Sequence, residues 1–302
     1  MRPSLHGSGA ELDVSLSVTE LAPAKINLAL HVTGQRPDGY HLIESIVTFA
    51  DIGDHLTFSL ADEDRLSLSG PFAPAITGGP DNLVARARDG LRGLLQARGV
   101  EAPAVAIHLE KNLPVASGIG GGSADAAATL RGLLRLWSAG SISMDEIEAL
   151  ALSIGADVPM CMAGRPLIAS GIGEKLSPLT GMPRFTMVLG NPLRGVSTPE
   201  VFSRLASRQN PGLVLNDPRN WMSILTAARN DLQDPASDLV PEIGKLCDLL
   251  RSQGAVLTRM SGSGATCFGI FDSRPSADHA VGMLQAARPD WYFASTETIA
   301  GS

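Results

Sequence analysis

The sequence predicts an α+β protein in two domains, on three observations. Its 302 residues exceed the length at which a single core usually stops growing. Segments with strand periodicity and segments with helical periodicity follow one another in both halves. Residues 164–173, with Pro166 and three glycines, read as a hinge between the halves. The expected division is an N-terminal extension over 1–20, partly disordered, then domains over 21–170 and 171–302.

The elements follow in order. Residues 1–20 begin loosely through Gly7, Ser8 and Gly9, and the alternation over 12–18 suits a half-buried edge strand. Apolar runs at 24–32 and 43–49 are strands, separated by the turn formers of 33–41, and 55–69 alternates again. Leu83, Ala87, Leu91, Leu94 and Leu95 give 82–98 helical spacing, with Gly99 as the stop, and 105–109 is a short strand. A glycine loop at 118–122 runs into an alanine-rich helix beginning near Ser123, and a second helix at 144–154 ends at Gly155. In the second half, 186–189 is a strand, 199–205 begins a helix and 241–253 is a helix. Strands at 255–260 and 267–271 flank the loop Ser261-Gly262-Ser263-Gly264. No internal repeat is visible, which disfavours solenoids and propellers.

Composition narrows the function. Hydrophobic residues make up 44% and charged residues 18%, enough apolar mass for a packed core and too little charge for a disordered chain. The net charge of −7 opposes nucleic acid and acidic membrane surfaces as partners. Cys161, Cys247 and Cys267 form no C-x-x-C pair, which fits a reducing compartment. No apolar run reaches the roughly 18 residues of a membrane span. A soluble cytoplasmic protein is the expectation.

The most informative segment is 112–130. Adjacent glycines from Gly118 to Gly122 allow neighbouring N–H groups to point into one concavity at a helix start, where unpaired N–H groups and the positive dipole end favour an anion. It is not a Walker loop, because Ser123 stands where that motif needs Lys. Ser123 and Asp125 also suit an N-cap and a first-turn helix residue. Lys25 and Asp157 are each the one charged residue of an apolar stretch, 21–30 and 150–162, and Asn27 shares Lys25's face of a strand. Such a charge is solvated or paired, since burial alone is costly. Tyr40 and His41 follow a turn, and the histidines at 6, 31, 55, 108 and 279 show no metal-ligand spacing.

Pro114-x-x-Ser117-Gly118-Ile119-Gly120-Gly121-Gly122-Ser123 resembles the phosphate loop of the GHMP small-molecule kinases. Pro23-Ala24-Lys25-Ile26-Asn27, 34–41, 155–159 and Met260 to Phe268 resemble the branch of that family whose acceptor is 4-diphosphocytidyl-2-C-methyl-D-erythritol, in family order across about 20–272. Ile119 for Leu, Ala124 for Ser and Met160-Cys161-Met162 are mild departures. The resemblance implies a ribosomal-protein-S5-like N-terminal half, a ferredoxin-like C-terminal half and a cleft between them. It implies ATP and Mg²⁺ as cofactors, with the metal ligands unassigned, and a monomer or weak homodimer. It further implies Asp157 as catalytic base with Lys25 beside it, and phosphate binding by Pro114, Ser117, Gly118, Ile119, Gly120, Gly121, Gly122 and Ser123. Substrate binding falls to Asn27, Tyr40, His41, Phe202, Ser261, Gly262 and Ser263, with Tyr40 stacking on cytosine and His41 at the base edge; Phe202 suits the opposite stacking face and the interior of a helix equally, and the second stacking aromatic stays unassigned. Two alternatives stay open: a GHMP kinase acting on homoserine or mevalonate, and a non-catalytic ligand-sensing relative.

Overall fold

The computed structural model describes residues 17–76, 82–115, 117–140, 142–216 and 219–301. The first half is a six-stranded sheet built on two long strands, β1 (Ser17–Gln35) and β2 (His41–Leu60), paired antiparallel along almost their whole length. β3 (Arg65–Ser69) lies parallel to β4 (Val105–Glu110), and β4 pairs with the end of β2. Between them runs α1 (Leu83–Gln96), whose N-cap Asn82 accepts from the Val84 N–H and whose Val84, Ala87, Leu91 and Leu95 face inward. α2 (Gly121–Leu136), α3 (Met144–Ile154) and α4 (Val158–Ala163) follow. Gly132 lets α2 lie against the sheet, since a Cβ there would stand 2.3 Å from the Phe58 ring. α3 starts with a capping box, Ser143 with Glu146, which satisfies two orphan donors reciprocally.

β5 (Leu167–Gly171) pairs with β2 and turns into β6 (Lys175–Pro178). Of the three glycines read as a hinge, Gly164 caps the end of α4, and Gly171 at φ +72° and Gly173 at φ +110° make the reversal of a hairpin of the first sheet. Residues 17–20 also belong to that sheet rather than to an extension, because they pair with β2. The rest of the extension, including most of the expected strand at 12–18, lies outside the described residues.

The second half is a four-stranded antiparallel sheet in the order β10-β7-β9-β8. Its elements are β7 (Thr186–Asn191), α5 (Thr198–Ser203), α6 (Trp221–Ala227), α7 (Gln233–Leu239), α8 (Glu242–Ser252), β8 (Leu257–Met260), β9 (Cys267–Phe271), α9 (Arg274–Ala287) and β10 (Tyr292–Glu297). One apolar core lies under α1 and α2, a second under α8 and α9, and a third joins the sheets. In the third, Ile26, Leu28 and Ile46 pack with Leu189, Phe268 and Ile270. That shared core fixes the two halves against each other around one cleft. Among the described residues no helix is long and apolar enough to cross a membrane.

Candidate active site

Lys25 sits where the β1–β2 ladder is irregular on both sides, with register shifts between Pro23 and Lys25 and between Asn27 and Ala29. Bulges of this kind re-aim side chains. The Lys25 Nζ, on a residue only 5% exposed, donates to Asn27 Oδ1 at 2.8 Å and to Asp157 Oδ2 at 3.0 Å. Asp157 immediately precedes α4, and its carboxylate makes no capping bond to that helix. The side chain is 40% exposed, so it is reachable from the cleft while one oxygen is held by the ammonium. Oδ1 has no protein partner among the described residues.

The glycine loop closes against this pair. The Lys25 N–H donates to the Ile119 carbonyl at 2.9 Å. Gly120, at φ +68°, caps α2, and the first intrahelical bond runs from the Ala124 N–H to the Gly120 carbonyl. The helix thus begins at Gly121, and Ser123 is a first-turn residue rather than its cap. The N–H groups of Gly121, Gly122 and Ser123 precede the first helical bond, and the three residues line a cleft of about 520 Å³ together with Lys25, Asn27 and Asp157. Pro114 and Ile119 sit deeper: Pro114 accepts from Ser117 Oγ at 2.7 Å, and Ile119 is fully buried in the core between the sheets.

The second sheet supplies the opposite wall. Ser261 is fully buried, its Oγ accepting from the Asn27 N–H at 3.0 Å and donating to the Gly118 carbonyl at 3.2 Å. It fastens three segments together, with both hydroxyl functions engaged. Gly262 and Ser263 line the cleft, and Ser263 Oγ lies 2.8 Å from Thr198 Oγ1. Asn230 Nδ2 holds this loop from behind through the carbonyls of Met260 and Gly262, both at 2.8 Å.

The rings of His41 and Phe202 are stacked with centroids 4.7 Å apart. Burial, then the charge of Arg208, pulls the His41 imidazole below its usual pKa, and its buried Nε2 has no partner among the described residues. Tyr40, after the positive-φ turn at Gly39, is 61% exposed and stacks on no ring among the described residues. His41, and not Tyr40, therefore occupies the face of Phe202.

Sequence reading missed Thr198, Asn230 and a buried ionic triad under the loop. Lys111 Nζ bonds to Asp54 Oδ2 and, at 2.6 Å, to Asp125 Oδ2, with all three residues at most 3% exposed. Asp54 Oδ1 also accepts from the N–H groups of Asn112 and Leu113. Asp125 thus lies beyond the first turn of α2, on its buried side, as a partner of Lys111. Burial, opposed by Lys111 and reinforced by Asp54, pushes its carboxyl up to about 7. Lys111 and Asp125 border a smaller cavity of about 240 Å³ whose apolar walls include Ile76, Leu83, Leu109 and Val115.

Two family models match the chain: GHMP kinases N terminal domain over residues 82–165, which takes in the glycine loop and Asp157, and GHMP kinases C terminal over residues 210–290. A relative from Rhizobium etli (strain CIAT 652), a 4-diphosphocytidyl-2-C-methyl-D-erythritol kinase, is 57% identical over 296 residues, covering 97% of this chain and 98% of its own length. A crystal structure of 4-(cytidine 5'-diphospho)-2C-methyl-D-erythritol kinase has a TM-score of 0.79 at 32% identity, covering 94% of this chain and 100% of that one. Homoserine kinase from Cytophaga hutchinsonii shares the fold, with a TM-score of 0.68 at 16% identity over 98% of each chain. With both sheets and the cleft between them inside these matches, the chain belongs to the GHMP kinase family, among its 4-diphosphocytidyl-2-C-methyl-D-erythritol kinases.

Proposed function

We infer that the chain transfers the γ-phosphoryl of ATP to the 2-hydroxyl of 4-diphosphocytidyl-2-C-methyl-D-erythritol, giving the 2-phosphate and ADP in the non-mevalonate isoprenoid pathway. The observation that carries this reading is the Lys25–Asp157 pair, 3.0 Å apart, lining the same cleft as the glycine loop. Asp157 Oδ1 takes or orients the proton of the acceptor hydroxyl, while Lys25 holds Oδ2 and keeps the carboxylate aimed. Backbone N–H groups of Gly121, Gly122 and Ser123 cradle the phosphates at the start of α2. The nucleoside end of ATP enters the apolar 240 Å³ cavity beside that loop. Phe202 and the Tyr40-His41 corner receive the cytosine.

The family implies Mg²⁺. No group of three or more His, Cys, Asp or Glu forms a metal cluster among the described residues. The donor set nevertheless fits a hard cation carried in on phosphate oxygens, which needs few protein ligands, and the Ser123 hydroxyl lines the cleft without a partner among those residues. Bound there, the ion neutralises phosphate charge. One chain carries every group named, so a monomer or weak homodimer suffices.

ADP release measured with ATP and a panel of acceptors tests the reading. The cytidine diphosphate ester is expected to exceed homoserine and mevalonate in kcat/KM by about 10²-fold or more, because the aromatic end has nothing to hold in the smaller acceptors. Preference for either smaller acceptor overturns the assigned substrate. Absence of ADP release with all three overturns the kinase reading in favour of a ligand-sensing role.

A further inference from the structure

Ser45 lies on β2 opposite Leu30, between β1 and β5, and is fully buried. Its hydroxyl spans the β1 irregularity between Asn27 and Ala29: Oγ accepts from Asn27 Nδ2 at 2.7 Å and donates to the Ala29 carbonyl at 2.6 Å. A carbonyl only accepts, so the Ser45 proton is committed to Ala29 and Oγ is left facing Asn27 as an acceptor. An acceptor there requires the NH₂ end of the Asn27 amide, which turns Oδ1 toward Lys25 Nζ, 2.8 Å away. The ammonium, held on that side, directs its next proton to Asp157 Oδ2 at 3.0 Å. We propose that Ser45 is a positioning residue for phosphoryl transfer, fixing the Asn27 amide so that Lys25 stays aimed at Asp157.

The inference rests on the kinase reading and adds to it a residue that touches neither substrate nor Asp157. Without the Ser45 hydroxyl, the amide can rotate and present NH₂ to an ammonium, a donor facing donors. Lys25 then loses its inner partner and its fixed direction. Asn27 also has its backbone N–H on Ser261 Oγ, so its main chain stays in place while its amide turns. The loss should therefore fall on the chemical step and spare the sites that hold the nucleotide and the acceptor.

Steady-state kinetics of Ser45→Ala, Ser45→Thr, Asn27→Ala and the Ser45→Ala/Asn27→Ala double variant test this. Ser45→Ala should lower kcat about tenfold, on the scale of losing a hydrogen bond in a buried charged network, with both KM values within about twofold. Ser45→Thr keeps the hydroxyl on a strand that suits a β-branched residue and should recover kcat to within about threefold of the parent. With Asn27 already Ala, Ser45→Ala should cost less than about twofold more, since its effect passes through that amide. The proposal is overturned if Ser45→Ala keeps kcat within about twofold of the parent, if Thr fails as badly as Ala, or if the full loss recurs without Asn27. A parent chain inactive with every acceptor overturns the kinase reading and this inference together, whereas an active parent with an unresponsive Ser45→Ala overturns only the role of Ser45.

Discussion

The rings of His41 and Phe202 are stacked on each other, and in the proposed reading cytosine binding exchanges that aromatic contact for its own. Stacking of a base on an aromatic ring is worth roughly 1–3 kcal/mol. Phe202→Ala should raise the acceptor KM about 5- to 150-fold and leave the ATP KM within about twofold; titration of the two substrates separately checks this. A second residue-scale prediction concerns Asp125, whose folded pKa is raised from 3.8 to about 7. A raised carboxyl binds its proton more tightly in the folded chain, so its stabilising contribution is full below the unfolded value and is lost as pH rises through about 7. Asp125→Asn removes this titration, and the fall in Tm between pH 5 and pH 8 should be smaller in the variant than in the parent. Lys25 and Asp157 stood out in the sequence because a lone charge in an apolar run must find a partner, but they are 132 residues apart and nothing in their spacing pairs them. Family resemblance did. The ionic role of Asp125 was hidden for a related reason: an acidic residue near a helix start already has a helical explanation, and Asp54 and Lys111, which complete the triad, are separated in sequence by 57 residues.

At the scale of elements, the glycine loop depends on backbone conformation more than on side chains. Gly118 lies at φ +76°, and a Cβ there would stand 2.6 Å from the Ser261 carbonyl oxygen and 2.7 Å from that of Gly264. Gly118→Ala combines a left-handed strain of about 1–2 kcal/mol with a backbone clash. It should lower Tm and weaken ATP binding together, because the loops of both sheets must move apart; a melt and a nucleotide titration read the two effects. The loop, the long hairpin, α3 and β9 were legible from glycine runs, alternation and helical spacing. β5 and β6 were not, because strands of five and four residues interrupted by glycines look like a flexible connection. α4 was hidden by Pro159, which ordinarily signals a break but here occupies the first turn, where a missing N–H costs nothing. α6, α7, α9 and β10 gave no pattern that the reading used, although Ser273 ahead of Pro275 marks the start of α9.

Across the whole molecule, the groups proposed to act in the reaction come from segments that only folding assembles. β1 brings Lys25, the turn before α4 brings Asp157, and Ser261 ties β1 and the glycine loop to the second sheet. The core shared by the two sheets gives this arrangement a rigid support, which precise placement of catalytic groups demands. Composition pointed to a packed core, whereas the cleft and its substrates came from motif resemblance, since cross-sheet contacts have no local sequence signal. In the proposed reaction Asp157, held by Lys25, handles the proton of the acceptor hydroxyl. The most direct test of that role is kcat for Asp157→Asn under saturating ATP and 4-diphosphocytidyl-2-C-methyl-D-erythritol, with KM and Tm measured on the same preparation. The expected result is a fall in kcat of about 10²- to 10⁴-fold with KM and Tm little changed. A kcat within about threefold of the parent would contradict it and leave Asp157 a structural carboxylate.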